Sequence, residues 1–168
     1  MYSEDFNPHK NLALETALMD AIQPGDMCMY LWQNQHTVVI GRNQNAWKEC
    51  RCELLQEECG TLARRPSGGG AVYHDLGNLN FTFAASPERY DLNKQLGMIL
   101  DALAIAGIRA EFTGRNDITI DGRKFSGNAF KHSKNCSLQH GTLLVSADMS
   151  KLSRYLRPSE SKLKAKGV

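Results

Sequence analysis

Residues 64–78, with the sequence RRPSGGGAVYHDLGN, carry the strongest structural signal in the chain. Short β-prone runs at 62–65 and 71–74 flank three consecutive glycines, and a third run follows at 79–84. A glycine run loses much conformational entropy on folding, but its backbone can approach a ligand closely and present N–H groups to an anion. The two arginines add the positive charge that a phosphate or carboxylate needs. A flexible hairpin loop is the alternative interpretation.

Two common phosphate-binding motifs are excluded for this segment. It lacks the Gly-Lys-Ser/Thr ending of a P-loop, and it does not open a helix with the pattern G-x-G-x-x-G. Any anion bound here is therefore held by a different arrangement.

Strands outnumber helices among the elements predicted on either side of this segment. Asn7-Pro8, Asn45 and Asp91 are N-terminal signals for helices, and Asp121-Gly122 is typical of a type I′ hairpin turn. The predicted helices are 8–22, 45–59, 91–107 and a short one from 148; the further predicted strands are 27–33 and 37–40, paired as a hairpin, then 118–120, 123–125 and 138–145. Tight turns join several strands, so we predict an α+β fold: a mixed, largely antiparallel sheet with packed helices.

Composition places the chain among ordinary globular domains. It has 168 residues, a formal net charge of +2, 42% hydrophobic residues and 23% charged residues. These values exclude a collagen, a coiled coil and a disordered tail, and they do not indicate a general nucleic-acid binder. Neither a signal peptide nor an apolar run long enough to span a membrane is visible, so we expect a cytoplasmic protein. The five cysteines are irregularly spaced, which favours reduced thiols over disulfides or a zinc site.

A second polar cluster follows at 114–129, where GRND precedes GRKFSGNA. Lys124 alternates with Phe125 on a predicted strand, so on its own it is interpreted as a surface residue. The small residues that follow it would let a ligand lie against the backbone, and Asp117 could organise a cation or a ribose. The cluster is thus a second candidate binding segment.

Four separated segments resemble, in order, the signature segments of the lipoate–protein ligases. They are RRPSGGGAVYHDLGN (64–78), GRND (114–117), RKFSGNA (123–129) and QHGTLL (139–144), supported by NLALE (11–15), LWQN (31–34) and VIGRNQN (39–45). The resemblance extends from about residue 11 to the last residue. It implies the α+β sheet domain that this family shares with biotin protein ligases.

The resemblance also implies a reaction and its site residues. ATP and Mg²⁺ activate the lipoate carboxylate to lipoyl-adenylate, and the lipoyl group then passes to a lysine of a carrier domain, in 2-oxoacid dehydrogenase complexes or in the glycine-cleavage H protein. Lys124 matches the catalytic lysine that holds the reacting carbonyl and phosphate oxygens. The residues that match lipoyl contacts are Glu15, Trp32, Arg65, Ser67, Gly70, His74, Ala129 and His140; those that match nucleotide contacts are Gly68, Gly69, Val72, Asn78, Asp117 and Lys124.

Elementary chemistry agrees with these roles. Adenylation develops negative charge on the α-phosphate and the carboxylate oxygens, which a fixed ammonium such as that of Lys124 stabilises. Asp117 could ligate Mg²⁺ together with phosphate oxygens, because Mg²⁺ usually takes only one or two protein carboxylates. His74 and His140 remain open between pocket walls and proton carriers.

Two alternatives to a ligase remain open from the sequence. Members of the family continue well beyond the equivalent of Val168, so residues 1–168 are expected to form an incomplete catalytic domain that lacks further elements and the small C-terminal domain. A non-catalytic lipoate-binding fragment is therefore one alternative. The other is a cysteine-dependent octanoyl or lipoyl transferase, for which Cys136, four residues before His140, is the candidate nucleophile.

Overall fold

The computed structural model describes residues 1–113 and 117–157 of the chain. In chain order the elements are α1 (Pro8–Ala21), β1 (Met27–Trp32), β2 (Thr37–Ile40), α2 (Ala46–Glu49), α3 (Cys52–Glu57), β3 (Thr61–Arg64), β4 (Val72–His74), β5 (Asn78–Ala85), α4 (Leu92–Ile105), β6 (Glu111–Thr113), β7 (Asp117–Ile120), β8 (Arg123–His132), β9 (Ser137–Leu144) and α5 (Met149–Tyr155). The α+β expectation is confirmed.

The larger sheet is antiparallel throughout and has six strands in the order β1-β5-β9-β8-β7-β6. The hairpin between β7 and β8 turns at Asp121 and Gly122, which have φ angles of 50° and 73°. Two consecutive positive φ angles are the requirement of a type I′ turn, so the prediction from Asp-Gly is confirmed.

The smaller sheet corrects one prediction. Residues 27–33 and 37–40 do not form a hairpin, because β1 pairs with β5 while β2 is the central strand of a second sheet in the order β3-β2-β4. All four residues of β2 are buried, so this strand needs neighbours on both sides. The parallel partner β3 and the antiparallel partner β4 supply them.

A second correction concerns the helix predicted from Asn45 through Cys59. It is divided into α2 and α3, because Cys50 is extended (φ −143°, ψ 162°) and forms a β-bridge with Leu156. The flanking backbone hydrogen bonds, from Arg51 N to Tyr155 O and from Arg157 N to Glu49 O, also join this segment to the end of α5. Pairing with a distant segment thus overrides the local helical preference.

The two faces of the larger sheet pack against different helices. On one face Leu96, Ile99 and Leu103 of α4 lie against Phe81, Phe83 and Ile118. Alternate residues of β5 point to the other face, where α1 lies and where Thr82 is buried. This second face, adjoined by the loop between β3 and β4, holds the candidate site.

The structure also describes the state of the cysteines and the length and polarity of the helices. All five cysteines are free thiols. In the described residues, no helix is both long enough and apolar enough to cross a membrane.

Candidate active site

The loop between β3 and β4, residues 65–71, is held in place by the buried side chain of Arg65. Its Nη2 group donates to the carbonyl oxygens of Gly68 and Gly70, both at 2.7 Å, and its Nε group donates to Ser67 Oγ at 3.1 Å. Burial lowers the pKa of Arg65 to about 10, and the charge of Glu15 acts in the opposite direction, so the guanidinium stays charged at neutral pH. Arg65 therefore holds the glycine loop in its folded conformation through hydrogen bonds within the loop.

Arg64 points away from this loop and stabilises the neighbouring loop that follows β2. Its Nη1 group donates to the carbonyl oxygens of Gly41, Arg42 and Gln44 at 3.0, 3.1 and 2.8 Å. The sequence analysis expected both arginines to supply positive charge for an anion. In the structure the hydrogen bonds of Arg64 and most of those of Arg65 go to backbone carbonyls.

The glycine loop packs tightly on both of its neighbours. A Cβ atom added to Gly41 would lie 2.3 Å from Gly69 O, so the two loops touch through their backbones. Gly69 has a φ of +92°, which favours glycine, and a Cβ there would lie 3.9 Å from the Cβ of Ala129 on β8. Ala129 in turn pairs with His140 on β9, so the loop lies directly over the larger sheet.

A continuous path of buried hydrogen bonds joins the glycine loop to the first helix. Ser67 Oγ lies 2.6 Å from His140 Nε2, and His140 Nδ1 lies 2.7 Å from Glu15 Oε1. Glu15 Oε1 also accepts from Thr82 Oγ1 at 2.7 Å, and Thr82 Oγ1 accepts from Trp32 Nε1 at 3.0 Å. Trp32, Glu15, Ser67 and His140, four of the predicted lipoyl contacts, thus form one buried polar network.

The donors and acceptors at the Trp32 end of this path follow from side-chain chemistry. The Trp32 indole can only donate, so the Thr82 hydroxyl accepts from it and donates its own proton to Glu15. Ser67 Oγ accepts from Arg65 Nε and contacts His140 Nε2, while the Glu15 carboxylate accepts from His140 Nδ1. These bonds hold the His140 ring between the glycine loop and α1.

His74 joins the same group from the smaller sheet. Its ring meets Trp32 edge-on with centroids 6.3 Å apart, and Asn34 Nδ2 lies 3.2 Å from its Nδ1. The pKa of His74 is lowered to about 3, mainly by burial, with the charges of Arg65 and His140 acting in the same direction. His74 is therefore neutral, which makes it unsuited to donate a proton as an imidazolium near pH 7.

The second predicted cluster lies at a more open part of the molecule. Lys124 Nζ is 2.7 Å from Asp117 Oδ1, and the two side chains are 53% and 41% exposed. The lysine side chain runs past Gly127, where an added Cβ would lie 3.2 Å from Nζ. Lys124 lines an open depression of about 770 Å³ together with residues that include Arg123, Phe125, Val145 and Met149.

The remaining predicted nucleotide contacts, Asn78 and Val72, lie on β5 and β4. Asn78 begins β5, pairs with Leu144 at the edge of the depression, and is completely buried. Its Nδ2 donates to Asn80 Oδ1, while its Oδ1 has no hydrogen-bond partner among the described residues. Val72 is half-buried at the start of β4 and pairs with Val39. Residues 114–116 of the GRND segment lie outside the described residues.

The residues available for Mg²⁺ fit a site completed by a nucleotide. No group of three His, Cys, Asp or Glu side chains gathers in the parts of the chain that the structure describes. Asp117 offers one partly exposed carboxylate beside the depression. One carboxylate completed by phosphate oxygens and water is a usual coordination for Mg²⁺.

Cys136 does not belong to the site. It is buried in a core cluster with Met19, Ile22, Ala84 and Leu138. Burial raises the pKa of its thiol, which disfavours the nucleophilic thiolate. Its burial and its raised pKa therefore argue against Cys136 as the nucleophile of an acyl transferase.

Sequence reasoning missed Thr82, Asn34 and Asn11, three buried polar residues that hold the predicted site residues in place. A signal existed for Asn11, because Asn11 and Glu15 recur four residues apart on the same face of α1 as the apolar Leu12 and Met19. Thr82 is a lone hydroxyl in the apolar strand β5 and gave no comparable signal.

Curated relatives agree with the resemblance in the sequence. Lipoate-protein ligase A of Psychrobacter cryohalolentis is 49% identical over 162 residues, which are 96% of this chain and 48% of that protein. Lipoate-protein ligase A of Bdellovibrio bacteriovorus is 47% identical over 169 residues, 98% of this chain and 50% of that protein. The chain thus spans about half the length of the curated relatives it matches.

Solved structures with the same fold include proteins with bound ligands. P. falciparum LipL1 in complex with lipoate has a TM-score of 0.86 and 37% identity, covering 92% of this chain and 50% of that one. A bi-partite lipoate protein ligase from Thermoplasma acidophilum, described with its E2 lipoyl domain, has a TM-score of 0.84 and 31% identity (99% and 68%). Lipoate-protein ligase A bound with ATP has a TM-score of 0.83 and 29% identity (97% and 72%).

The family itself is shown by a match that covers almost the whole sequence. Residues 7–168 match the lipoyl protein ligase A/B catalytic domain. That range contains each of the segments that carried the resemblance and both clusters of the candidate site. The chain therefore belongs to the lipoyl protein ligase A/B catalytic-domain family.

Proposed function

We propose that this chain carries the catalytic site of an ATP-dependent lipoate ligase. Lipoate is activated to lipoyl-adenylate, and the lipoyl group is then transferred to a lysine of a carrier domain. The observation that carries the proposal is the position of Lys124, an accessible ammonium on the same strand as Ala129, which adjoins the glycine loop. Strand β8 thus links the buried polar network beneath the glycine loop to the open depression beside Lys124.

We place the acyl part of the substrate against the buried polar network, in a space that we name the acyl slot. Trp32 supplies an apolar wall, and its indole is fixed by Thr82 and Glu15. Since Arg65 and Ser67 tie the glycine loop over the same space, bound acyl chain is shielded from water. The relative with bound lipoate supports this choice of substrate.

The open depression suits the nucleotide and the chemical step. A carboxylate oxygen of lipoate attacks the α-phosphorus of ATP, a new O–P bond forms, and the bond to the β-phosphate oxygen breaks to release pyrophosphate. Negative charge grows on the α-phosphate oxygens as this occurs, and Lys124 Nζ stabilises it there. Asp117 orients that ammonium across 2.7 Å. The relative with bound ATP supports the choice of nucleotide.

Mg²⁺ would be held by Asp117 and phosphate oxygens, and when bound it supplies charge neutralisation on the phosphates. In the transfer step the amine of a carrier lysine attacks the acyl carbonyl, the new amide bond forms, and the bond to AMP breaks. The carrier is a lipoyl domain of a 2-oxoacid dehydrogenase complex or the glycine-cleavage H protein. The Thermoplasma acidophilum ligase described with an E2 lipoyl domain supports a partner of this class.

Intact-mass spectrometry of a purified lipoyl domain tests the proposal. One reaction contains this chain, lipoate, ATP and Mg²⁺, and the matched reaction contains an octanoyl-carrier donor without ATP. We expect lipoyl-AMP, and a mass increase of the lipoyl domain by one lipoyl group, in the first reaction alone. Acylation in the second reaction would assign the chain to the transferases, and lipoate binding without any lipoyl-AMP would identify a non-catalytic binding module.

A further inference from the structure

Two buried polar atoms in the acyl slot lack a partner. Among the described residues, His74 Nε2 and Glu15 Oε2 have no hydrogen-bond partner, although both side chains are almost completely buried. Leaving such an atom unpaired is costly in a protein interior. A bound ligand can recover that cost only if it brings a group of matching polarity.

The polarity of His74 Nε2 follows from a chain of amides that begins on α1. Asn11 Nδ2 donates to the backbone carbonyls of Asp5 and Gln33 at 2.8 and 2.9 Å, and its Oδ1 accepts from the Tyr30 hydroxyl at 2.8 Å. These contacts fix which end of the Asn11 side chain is the donor.

Asn34 connects Asn11 to His74 through the two ends of its side-chain amide. Asn11 Nδ2 lies 3.1 Å from Asn34 Oδ1, so this oxygen accepts and the Asn34 Nδ2 group faces His74 Nδ1 at 3.2 Å as a donor. Nδ1 must then be the unprotonated nitrogen of the ring. Because burial keeps the ring neutral, its single proton is on Nε2. The slot therefore contains an unused N–H donor.

This donor lies beside Trp32, the residue that the proposed function places against the acyl chain. The His74 ring contacts the Trp32 ring, and it is close enough to Arg65 and His140 for their charges to act on it. A hydrocarbon tail offers no acceptor to an N–H group. A ring sulfur is a weak acceptor, and its polarisable electrons also suit the face of an aromatic neighbour.

We propose that the Nε2–H group of His74 donates to a sulfur of the dithiolane ring and thereby makes His74 the residue that selects lipoate over octanoate. The inference rests on the proposed function and adds a substrate preference to it. Glu15 Oε2 does not contribute to the choice, because neither the oxidised dithiolane nor the octanoyl tail brings it a donor. The selection therefore depends on one hydrogen bond.

Two conservative variants separate this role from a structural one. His74→Gln keeps an N–H donor near the position of Nε2, whereas His74→Asn keeps only a polar group near Nδ1. We expect His74→Asn to lower the ratio of kcat/KM for lipoate to kcat/KM for octanoate about tenfold, the effect of one net hydrogen bond to a buried donor. His74→Gln should retain most of the ratio. An equal loss for both acids in both variants, with the ratio unchanged, would overturn the inference.

Nitrogen NMR of the unsubstituted chain gives a second readout that does not require turnover. In protein labelled with ¹⁵N-histidine, we expect the His74 spectrum to show a proton on Nε2 and none on Nδ1. Lipoate should shift the Nε2–H signal, while octanoate should bind more weakly and leave that signal nearly unmoved. A proton on Nδ1, or equal shifts with both acids, would overturn the inference even if adenylation is observed. Selective lipoate binding without lipoyl-AMP would instead overturn the proposed function and leave the recognition role standing.

Discussion

Lys124 is the residue on which the proposed chemistry depends most directly. Its side chain is 53% exposed and its ion pair with Asp117 is accessible to solvent, so it contributes little to the core. In the proposed reaction it contributes an ammonium that is already in place when negative charge develops on the α-phosphate. Stability and activity should therefore respond very differently to its removal.

Lys124→Ala should lower the rate of lipoyl-adenylate formation roughly a hundredfold, or about 3 kcal/mol, with little change in lipoate affinity or in unfolding. Lys124→Arg should not restore the rate, because a planar guanidinium does not reproduce a compact donor. Pyrophosphate release measures the rate and calorimetry measures the affinity. Lys131→Ala, at the other end of β8, is the matched control. A rate for Lys124→Ala within threefold of the control would remove Lys124 from the mechanism.

At the scale of elements, the glycine loop is shaped by backbone geometry at one position. Gly69 has a φ of +92°, and an added Cβ would lie 2.8 Å from Arg65 Nη2, whereas a Cβ on Gly68 meets nothing within 4 Å. The two neighbouring glycines thus differ in what they tolerate, although the sequence makes them look equivalent.

Gly69→Val should weaken ATP binding at least tenfold and lower the free energy of unfolding by about 1–2 kcal/mol, because it forces a β-branched residue into a left-handed conformation and displaces Arg65. Gly68→Ala should change the free energy of unfolding by less than about 0.5 kcal/mol. Calorimetry with an ATP analogue and urea denaturation check these values. Unaltered ATP affinity in Gly69→Val would mean that the glycine run is only a hinge.

Helix α4 covers the face of the larger sheet that lies away from the site, so its packing should affect stability alone. Ile99 is 4% exposed against Phe81 and Phe83, and Ile105 on the same helix is 89% exposed. Ile99→Ala should cost about 2–5 kcal/mol in urea denaturation, and Ile105→Ala less than about 0.5 kcal/mol. Below the unfolding transition, both variants should bind lipoate like the parent protein. Equal costs for the two variants would contradict this packing of α4.

Local signals predicted the elements well, and pairing between distant segments explains the failures. Asp91 caps α4, and Asp121-Gly122 forms the turn that its conformational preference favours. The predicted hairpin of β1 and β2 was wrong because β1 pairs with β5, and the predicted helix 45–59 is interrupted because Cys50 pairs with Leu156. No local pattern reveals partners so far along the chain. The same limit applies to the site, where the motif located Arg65 and Ser67 but not Thr82, whose role depends on where α1 lies.

At the scale of the whole molecule, the site depends on two sheets, a helix and a loop meeting around buried polar groups. The burial of His74 has a thermodynamic consequence, because it keeps the folded ring neutral down to a pKa of about 3. In the unfolded chain the same ring has its ordinary pKa of 6.5. Between these two values the unfolded state binds a proton that the folded state does not, so stability must fall as the pH is lowered.

We therefore expect His74 to lower the free energy of unfolding by about 1.6 kcal/mol between pH 6.5 and pH 5, because the unfolded ring passes from half to almost full protonation at about 1.36 kcal/mol per proton and pH unit. The pKa of His36 is also lowered, mainly by burial, so His36 adds to this loss of stability. The pKa of Glu58 is lowered to about 2, so Glu58 loses its stabilising ion pair only at more acidic pH. Urea denaturation at pH 6.5, 5.8 and 5.0 measures the slope. His74→Gln has no ring to protonate, so its slope should be distinctly shallower; an unchanged slope would show that His74 is not held neutral by the fold.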